Sequence, residues 1–279
     1  MRGLAAAKLG VPGGHLAYET AGHGPPVLFI HSVIADRRMW DREFAALAAD
    51  RQVVRFDLRG FGGSTPASAP FSYVRDIEAL VSHLRLERPC LVGSSMGGAM
   101  AIDYALANPE GVSGLLLAAP GLSGGFDPPF EQKELAAFES DEKKSTEIAQ
   151  AWSKGEASRA FELLRDLWCP ALKGPSLELF RTMVEENATE VFDSRSQGQA
   201  ERAPKAAARL GTIRVPTTVL IGDRDNPASA VFARRIARAI PGARLVAVPE
   251  ADHLINLSRP DAFDAELRSA LRASSSERP

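Results

Sequence analysis

Residues Gly93-Ser94-Ser95-Met96-Gly97 constrain the fold of this 279-residue chain more than any other five. An apolar run, Pro89-Cys90-Leu91-Val92, leads into them, and helical spacing begins at Met96. The pattern predicts a strand, a sharp turn with a serine at its apex, and a helix. A turn this tight strains its central residue, so the positions two before and two after must be small for strand and helix to pass closely. Gly93 and Gly97 meet that need. The strain would lift the Ser95 hydroxyl out of the sheet edge and point the Met96 amide, at a helix N-terminus, to where an oxyanion would form. A glycine-bracketed turn without chemistry is the plainer reading of G-x-S-x-G alone; its place between strand and helix favours the functional one.

A serine hydroxyl is a poor nucleophile near neutral pH unless a histidine takes its proton and an acid fixes the tautomer of that imidazole. Of His15, His23, His31, His83 and His253, only His253 lies C-terminal to the serine. It follows an apolar strand, Arg244 to Val248, and the polar loop Pro249-Glu250-Ala251-Asp252. For the acid, Thr217 to Ile221 reads as a buried strand and Gly222 to Pro227 as the loop leaving its carboxyl end. Asp223 and Asp225 both lie in that loop, and we take Asp225. The chain order Ser, Asp, His, each on a loop after a strand, differs from the other two orders found in serine hydrolases.

With these residues in hand, the chain resembles the α/β-hydrolase superfamily along nearly its whole length. Pro26 to His31 resembles the family's third strand and the histidine opening its oxyanion loop, with Trp40 later in the segment. Phe56-Asp57-Leu58-Arg59-Gly60-Phe61-Gly62-Gly63-Ser64 resembles the D-x-R-G-x-G-x-S turn after the fourth strand. Ala251-Asp252-His253 with Arg259-Pro260 resembles the catalytic-histidine loop, and Gly222-x-x-Asp225 resembles the acid loop, a spacing that favours Asp225 over Asp223. The family usually has His-Gly at the oxyanion loop, whereas this chain has His31-Ser32. Carried over by position, Val33 would donate the second oxyanion amide beside Met96. The resemblance also implies that Asp57 hydrogen-bonds backbone amides and that His31 packs beneath the oxyanion loop, both structurally.

The resemblance implies an α/β fold: a mostly parallel, eight-stranded twisted sheet flanked by helices, with a helical lid inserted after strand six. Periodicity places strands near 15–20, 27–30, 53–56, 89–92, 112–118, 215–221 and 243–248. Helices fall near 40–49, 71–85, 96–107, 228–239 and 260–272. The first strands are expected to form an antiparallel hairpin through Gly22-His23-Gly24-Pro25. Parallel strands between helices put ligand loops at the carboxyl edge of the sheet, where Ser95, Asp225 and His253 would meet. This divides the chain into a core of residues 1–120 and 209–272, a helical lid of residues 121–208, and a frayed polar tail, 273–279.

The lid segment carries Phe126, Phe130, Phe138, Trp152, Phe161, Trp168 and Phe180 at helical spacing. Most of these are expected to form the lid's own small core, while Trp152 and Met183 suit either core or pocket. Such a lid would exclude water and give an apolar wall to a small or medium substrate.

Composition fits one soluble core. Hydrophobic residues make up 45% and charged residues 24%, and 33 basic against 35 acidic side chains give a formal charge of −2, so nothing points to nucleic acid or an anionic membrane as partner. Cys90 and Cys169 are too few for a disulfide framework, and Cys90 falls in a strand expected to be buried. In Met1 to Lys8 the charge at position 8 interrupts any signal-peptide core, so the cytoplasm is the expected location. The spacings of His, Cys, Asp and Glu suggest no metal site, no glycine motif suits a nucleotide, and no cofactor is expected.

The reaction these residues suggest is cleavage of a carboxylic ester or lactone through an acyl-enzyme on Ser95. Serine at this position argues against the haloalkane dehalogenases and epoxide hydrolases of the family, which use aspartate there. His31-Ser32 and Asp36 to Asp41 look similar to the 3-oxoadipate enol-lactonase group, a likeness that covers about the first 120 residues. The run Ser95-Met96-Gly97-Gly98 also resembles cofactor-free haloperoxidases and perhydrolases. The same triad would also serve a C–C bond hydrolase, and the same fold a ligand-binding receptor with little turnover.

Overall fold

A computed structural model describes residues 7–276. Residues 1–6, most of the N-terminal segment considered above, and residues 277–279 lie outside the described part. Eight strands form one sheet: β1 (Ala7–Val11), β2 (Gly14–Ala21), β3 (Pro26–Ile30), β4 (Gln52–Phe56), β5 (Cys90–Ser94), β6 (Gly114–Ala118), β7 (Thr217–Gly222) and β8 (Arg244–Val248). Their spatial order is β1-β2-β4-β3-β5-β6-β7-β8. The pairs β1/β2 and β2/β4 are antiparallel and all others parallel.

The expected hairpin through Gly22–Pro25 does not form. β2 pairs with β1 and β4, while β3 lies between β4 and β5. The reason is legible in β3 itself: Val27 to Ile30 are apolar and wholly buried, so this strand suits an interior place among parallel neighbours rather than a hairpin. The hairpin partner of β2 is instead β1, a mostly exposed edge strand of sequence AKLGV that was absent from the expected strands.

Side chains alternate across the strands, and helices cover both faces. Leu28 and Ile30 of β3 face α2 (Tyr73–His83), α3 (Met96–Ala107) and α8 (Pro227–Ala239), in a core that includes Ile77, Ile102 and Ile236. Val27 and Phe29 face α1 (Asp41–Leu47) and α9 (Pro260–Ser276), where Trp40 is packed between Phe29 and Phe263. The last helix extends past the expected end at residue 272. Ser274 is buried, and the Ser274 and Ser275 hydroxyls donate back to the Leu271 carbonyl at 3.0 and 2.8 Å, so residues 273–276 are helical rather than frayed.

Between β6 and β7 the chain forms α4 (Gln132–Ser153), α5 (Ala157–Trp168), α6 (Gly174–Glu186) and α7 (Ala188–Asp193). Phe161, Phe180 and Met183 are buried there and join the second core. Trp152 stacks on Phe192 with ring centroids 4.6 Å apart. The insertion is fastened to the core by buried polar groups: the Asn187 side chain accepts the Gly62 amide at 2.7 Å and donates to Asp36 at 2.9 Å. No helix of the described residues is long and apolar enough to cross a membrane.

Candidate active site

Ser95 follows β5 and opens α3 with φ +54° and ψ −116°, a conformation that L side chains rarely adopt. The turn is held by backbone bonds on every side. Ser95 N–H donates to the Ala118 carbonyl at 2.9 Å, and the Ser95 carbonyl accepts from Gly98, Ala99 and Gly121 at 2.9, 3.1 and 2.9 Å. Small flanking residues are a steric requirement: a Cβ on Gly93 would run into the Gly97 carbonyl, and one on Gly97 would lie 2.6 Å from the His31 carbonyl oxygen. Because Met96 is the first residue of α3, its amide has no carbonyl partner within the helix.

Asp225 and His253 come from the loops after β7 and β8 and meet. His253 Nδ1 lies 3.0 Å from both Asp225 oxygens, and both side chains are almost wholly buried. A carboxylate can only accept, so Nδ1 donates this hydrogen bond and Nε2 is the nitrogen left for another partner. Asp225 also accepts the Asn226 amide at 2.6 Å, and the Ser229 hydroxyl lies 3.5 Å from Nδ1. Asp223, the other carboxylate of that loop, is exposed. The preceding Asp252 is buried and accepts the amides of Ala171 and Leu254 at 3.0 and 3.2 Å; burial pushes its carboxyl up to about 6.

Ser95 and His253 border the same two cavities, of about 230 and 150 Å³. Val33, Ile34, Leu164 and Phe192 contribute to the larger one, and Pro120, Gly121, Asp141 and Phe232 to the smaller. Trp168 borders both, its ring centroid 4.5 Å from that of His253, and its carbonyl accepts the His253 amide at 3.0 Å. Three roomier cavities, of about 540, 470 and 460 Å³, contain none of Ser95, Asp225 and His253.

His31 lies wholly buried beneath the loop that carries Val33. The Leu58 amide donates to its Nε2 at 2.9 Å, which leaves Nδ1–H to donate to the Ser32 carbonyl at 2.8 Å. Burial holds this imidazole below its ordinary 6.5, in keeping with a neutral ring that both accepts and donates. Asp57 accepts the amides of Arg37 and Gly63 at 3.0 and 2.9 Å and pairs with the Arg37 guanidinium. Both residues thus brace the loops around Ser95 without bordering its cavities. Ser32, which stands in place of the usual glycine, is wholly buried, and its hydroxyl accepts the Ile34 amide at 3.4 Å.

Three neighbours of His253 and its cavities escaped sequence reasoning as site residues: Trp168, Asp141 and Ser229. Trp168 had a visible signal, since it ends an amphipathic helix just before Cys169-Pro170. Asp141 and Ser229 had none, because each reaches the site through the packing of its helix.

Known proteins agree with this architecture. The model of the alpha/beta hydrolase family matches residues 27–266. The AB hydrolase superfamily protein YisY of Bacillus subtilis (strain 168) is 29% identical over 256 residues, covering 85% of this chain and 88% of that protein. A thermophilic esterase from Thermogutta terrifontis is 27% identical with a TM-score of 0.76, covering 97% of this chain and 98% of that one. Est816, an N-acyl homoserine lactone degrading enzyme, is 25% identical with a TM-score of 0.73, covering 94% and 99%. With that family model spanning most of its length and a sheet of the same design, the chain belongs to the alpha/beta hydrolase family.

Proposed function

We propose that this protein hydrolyses a small or medium carboxylic ester or lactone through an acyl-enzyme on Ser95. The observation that carries the reading is the hydrogen-bonded Asp225–His253 pair bordering the same cavities as a serine held at positive φ. His253 Nε2 takes the Ser95 proton as Oγ attacks the carbonyl carbon, and Asp225 stabilises the imidazolium that results. The negative oxygen of the tetrahedral intermediate faces the amides of Met96 and Val33. Collapse breaks the bond to the leaving oxygen, which takes the proton from His253. Water, deprotonated by the same imidazole, then attacks the acyl-enzyme; the acid leaves and Ser95 regains its proton. In a lactone the leaving oxygen stays tethered, so the product is a hydroxy acid.

In this reading α4 to α7, within residues 121–208, act as a lid on a core of residues 1–120 and 209–272. Cavities of about 230 and 150 Å³ suit short acyl and alcohol groups, and Ile34, Leu164 and Phe192 give an apolar wall. The esterase and the lactone-degrading enzyme among the similar structures support the two substrate classes. The test is turnover of a chain-length series of p-nitrophenyl esters and of simple and N-acylated lactones by the native chain and Ser95→Ala. Hydrolysis that peaks at short chains and falls at least ~10³-fold in Ser95→Ala is expected. Equal hydrolysis by the two proteins, or none by the native chain, would sink the proposal.

A further inference from the structure

The two cavities beside Ser95 are uneven in charge. Asp141, from α4, borders the 150 Å³ cavity together with Ser95 and His253, and it is the one carboxylate among the described residues bordering either cavity. None of those residues is a lysine or an arginine. Asp141 is anchored by a neutral group: the Asn226 side-chain amide donates to it, while the Asn226 backbone amide donates to Asp225 at 2.6 Å. It faces His253 and Asp225 from the loops after β8 and β7, and the cation acting on it from its own helix, Lys144, is exposed and borders neither cavity. Burial is the main influence on the Asp141 carboxyl and raises it; repulsion from Asp225 acts the same way, and the Asn226 bond, His253 and Lys144 oppose them.

A group entering this cavity therefore meets a carboxylate acceptor and, among the described residues, no lysine or arginine at the cavity wall. A second carboxylate would be repelled across a short, partly desolvated distance, whereas an ammonium or hydroxyl group would find a partner. Resting on the hydrolase reading above, we propose that Asp141 determines specificity: it selects esters and lactones whose group in this cavity is neutral or cationic and rejects those that place a carboxylate there. Asp141 takes no part in the bond-breaking steps. Repulsion at such a distance corresponds to a discrimination of about 10- to 100-fold in kcat/KM.

The experiment compares three butyrate esters whose alcohol parts are cationic, neutral and anionic, those of choline, 3,3-dimethylbutanol and glycolate, at pH 8. Hydrolysis is followed by proton release in the native chain, Asp141→Asn and Asp141→Glu. Binding of the same esters is followed by tryptophan fluorescence in Ser95→Ala and in Ser95→Ala/Asp141→Asn. The native chain should turn over the choline and dimethylbutyl esters at least ~10-fold better than the glycolate ester. Asp141→Asn should shrink that ratio at least ~3-fold, and Asp141→Glu, which keeps the charge, should preserve it. An unchanged ratio in Asp141→Asn, equal handling of all three esters by the native chain, or no binding of any ester to Ser95→Ala would overturn the proposal. Binding that discriminates by charge without turnover in the native chain would instead overturn the hydrolase reading and leave the role of Asp141 supported.

Discussion

Glu43 offers a test of the packing beneath the oxyanion-side loops. It sits on α1, is 1% exposed, and neither carboxyl oxygen has a hydrogen-bond partner of ordinary geometry. Burial, aided by Asp264 and opposed by its own backbone amide, the Asn256 side chain and Arg42, pushes its carboxyl from the ordinary 4.5 up to about 8. A folded-state value above the unfolded one means that the native protein holds this proton more tightly, so the contribution of Glu43 to stability is greatest at low pH and falls as pH rises from about 4.5 through 8. At about 1.4 kcal/mol per pH unit the whole effect is about 5 kcal/mol, of which about 3–4 kcal/mol develops between pH 5 and pH 8. Glu43→Gln keeps the shape and removes the titration. Urea unfolding of both proteins across this range should show nearly equal stability at pH 5 and a gap of about 3–4 kcal/mol in favour of the variant at pH 8. Parallel curves, or a gap under about 1 kcal/mol at pH 8, would refute the claim that burial keeps the Glu43 carboxyl protonated.

Asp225→Asn should leave the fold intact and lower kcat/KM by about 10⁴-fold, because an amide at that position favours the tautomer whose Nε2 bears a proton and cannot accept one from Ser95; steady-state kinetics on a neutral ester, with a melting curve to show an intact fold, check this. Gly97→Ala places a methyl group against the Ile30 and His31 carbonyls, which should cost about 1–3 kcal/mol of stability and displace Ser95, read as a lower midpoint in urea together with loss of turnover. A fully active Gly97→Ala would show that the elbow tolerates a wider turn.

The elements that carry Ser95, Asp225 and His253 were legible because each is local: an apolar run, then a loop punctuated by Gly or Pro with its reactive residue at a fixed offset. Asp57 and His31 were assigned structural roles by resemblance, and their hydrogen bonds to backbone groups give the physical reason. What the sequence misjudged depends on partners distant in the chain. The Gly22–Pro25 link looks like a hairpin turn, yet β4, which arrives later, takes the place beside β2. Ser274 and Ser275 read as a polar tail, but a serine hydroxyl that bonds back to Leu271 is compatible with helix, and burial of Ser274 holds the segment in place. Asp141 is one of several charges on α4, and only the seating of that helix over the sheet edge turns this one toward Ser95.

The fastening of Asn187 to Gly62 and Asp36 has a further consequence for how this family member can change. Together with Glu190, whose carboxylate accepts the Ser196 amide and hydroxyl at 2.8 and 2.7 Å, it places one set of buried polar anchors of the insertion at α7 and the turn after it, while Glu134 and Asp141 tie α4 to Arg235 and Asn226. Ile148 of α4 and Leu164 of α5 border a cavity beside Ser95 and make no polar anchor. Substrate range and architectural integrity are thus written largely on different side chains. Randomising the cavity-facing positions of α4 and α5 should yield many folded variants with new preferences, whereas the same treatment of Asn187 and Glu190 should yield mainly unfolded ones.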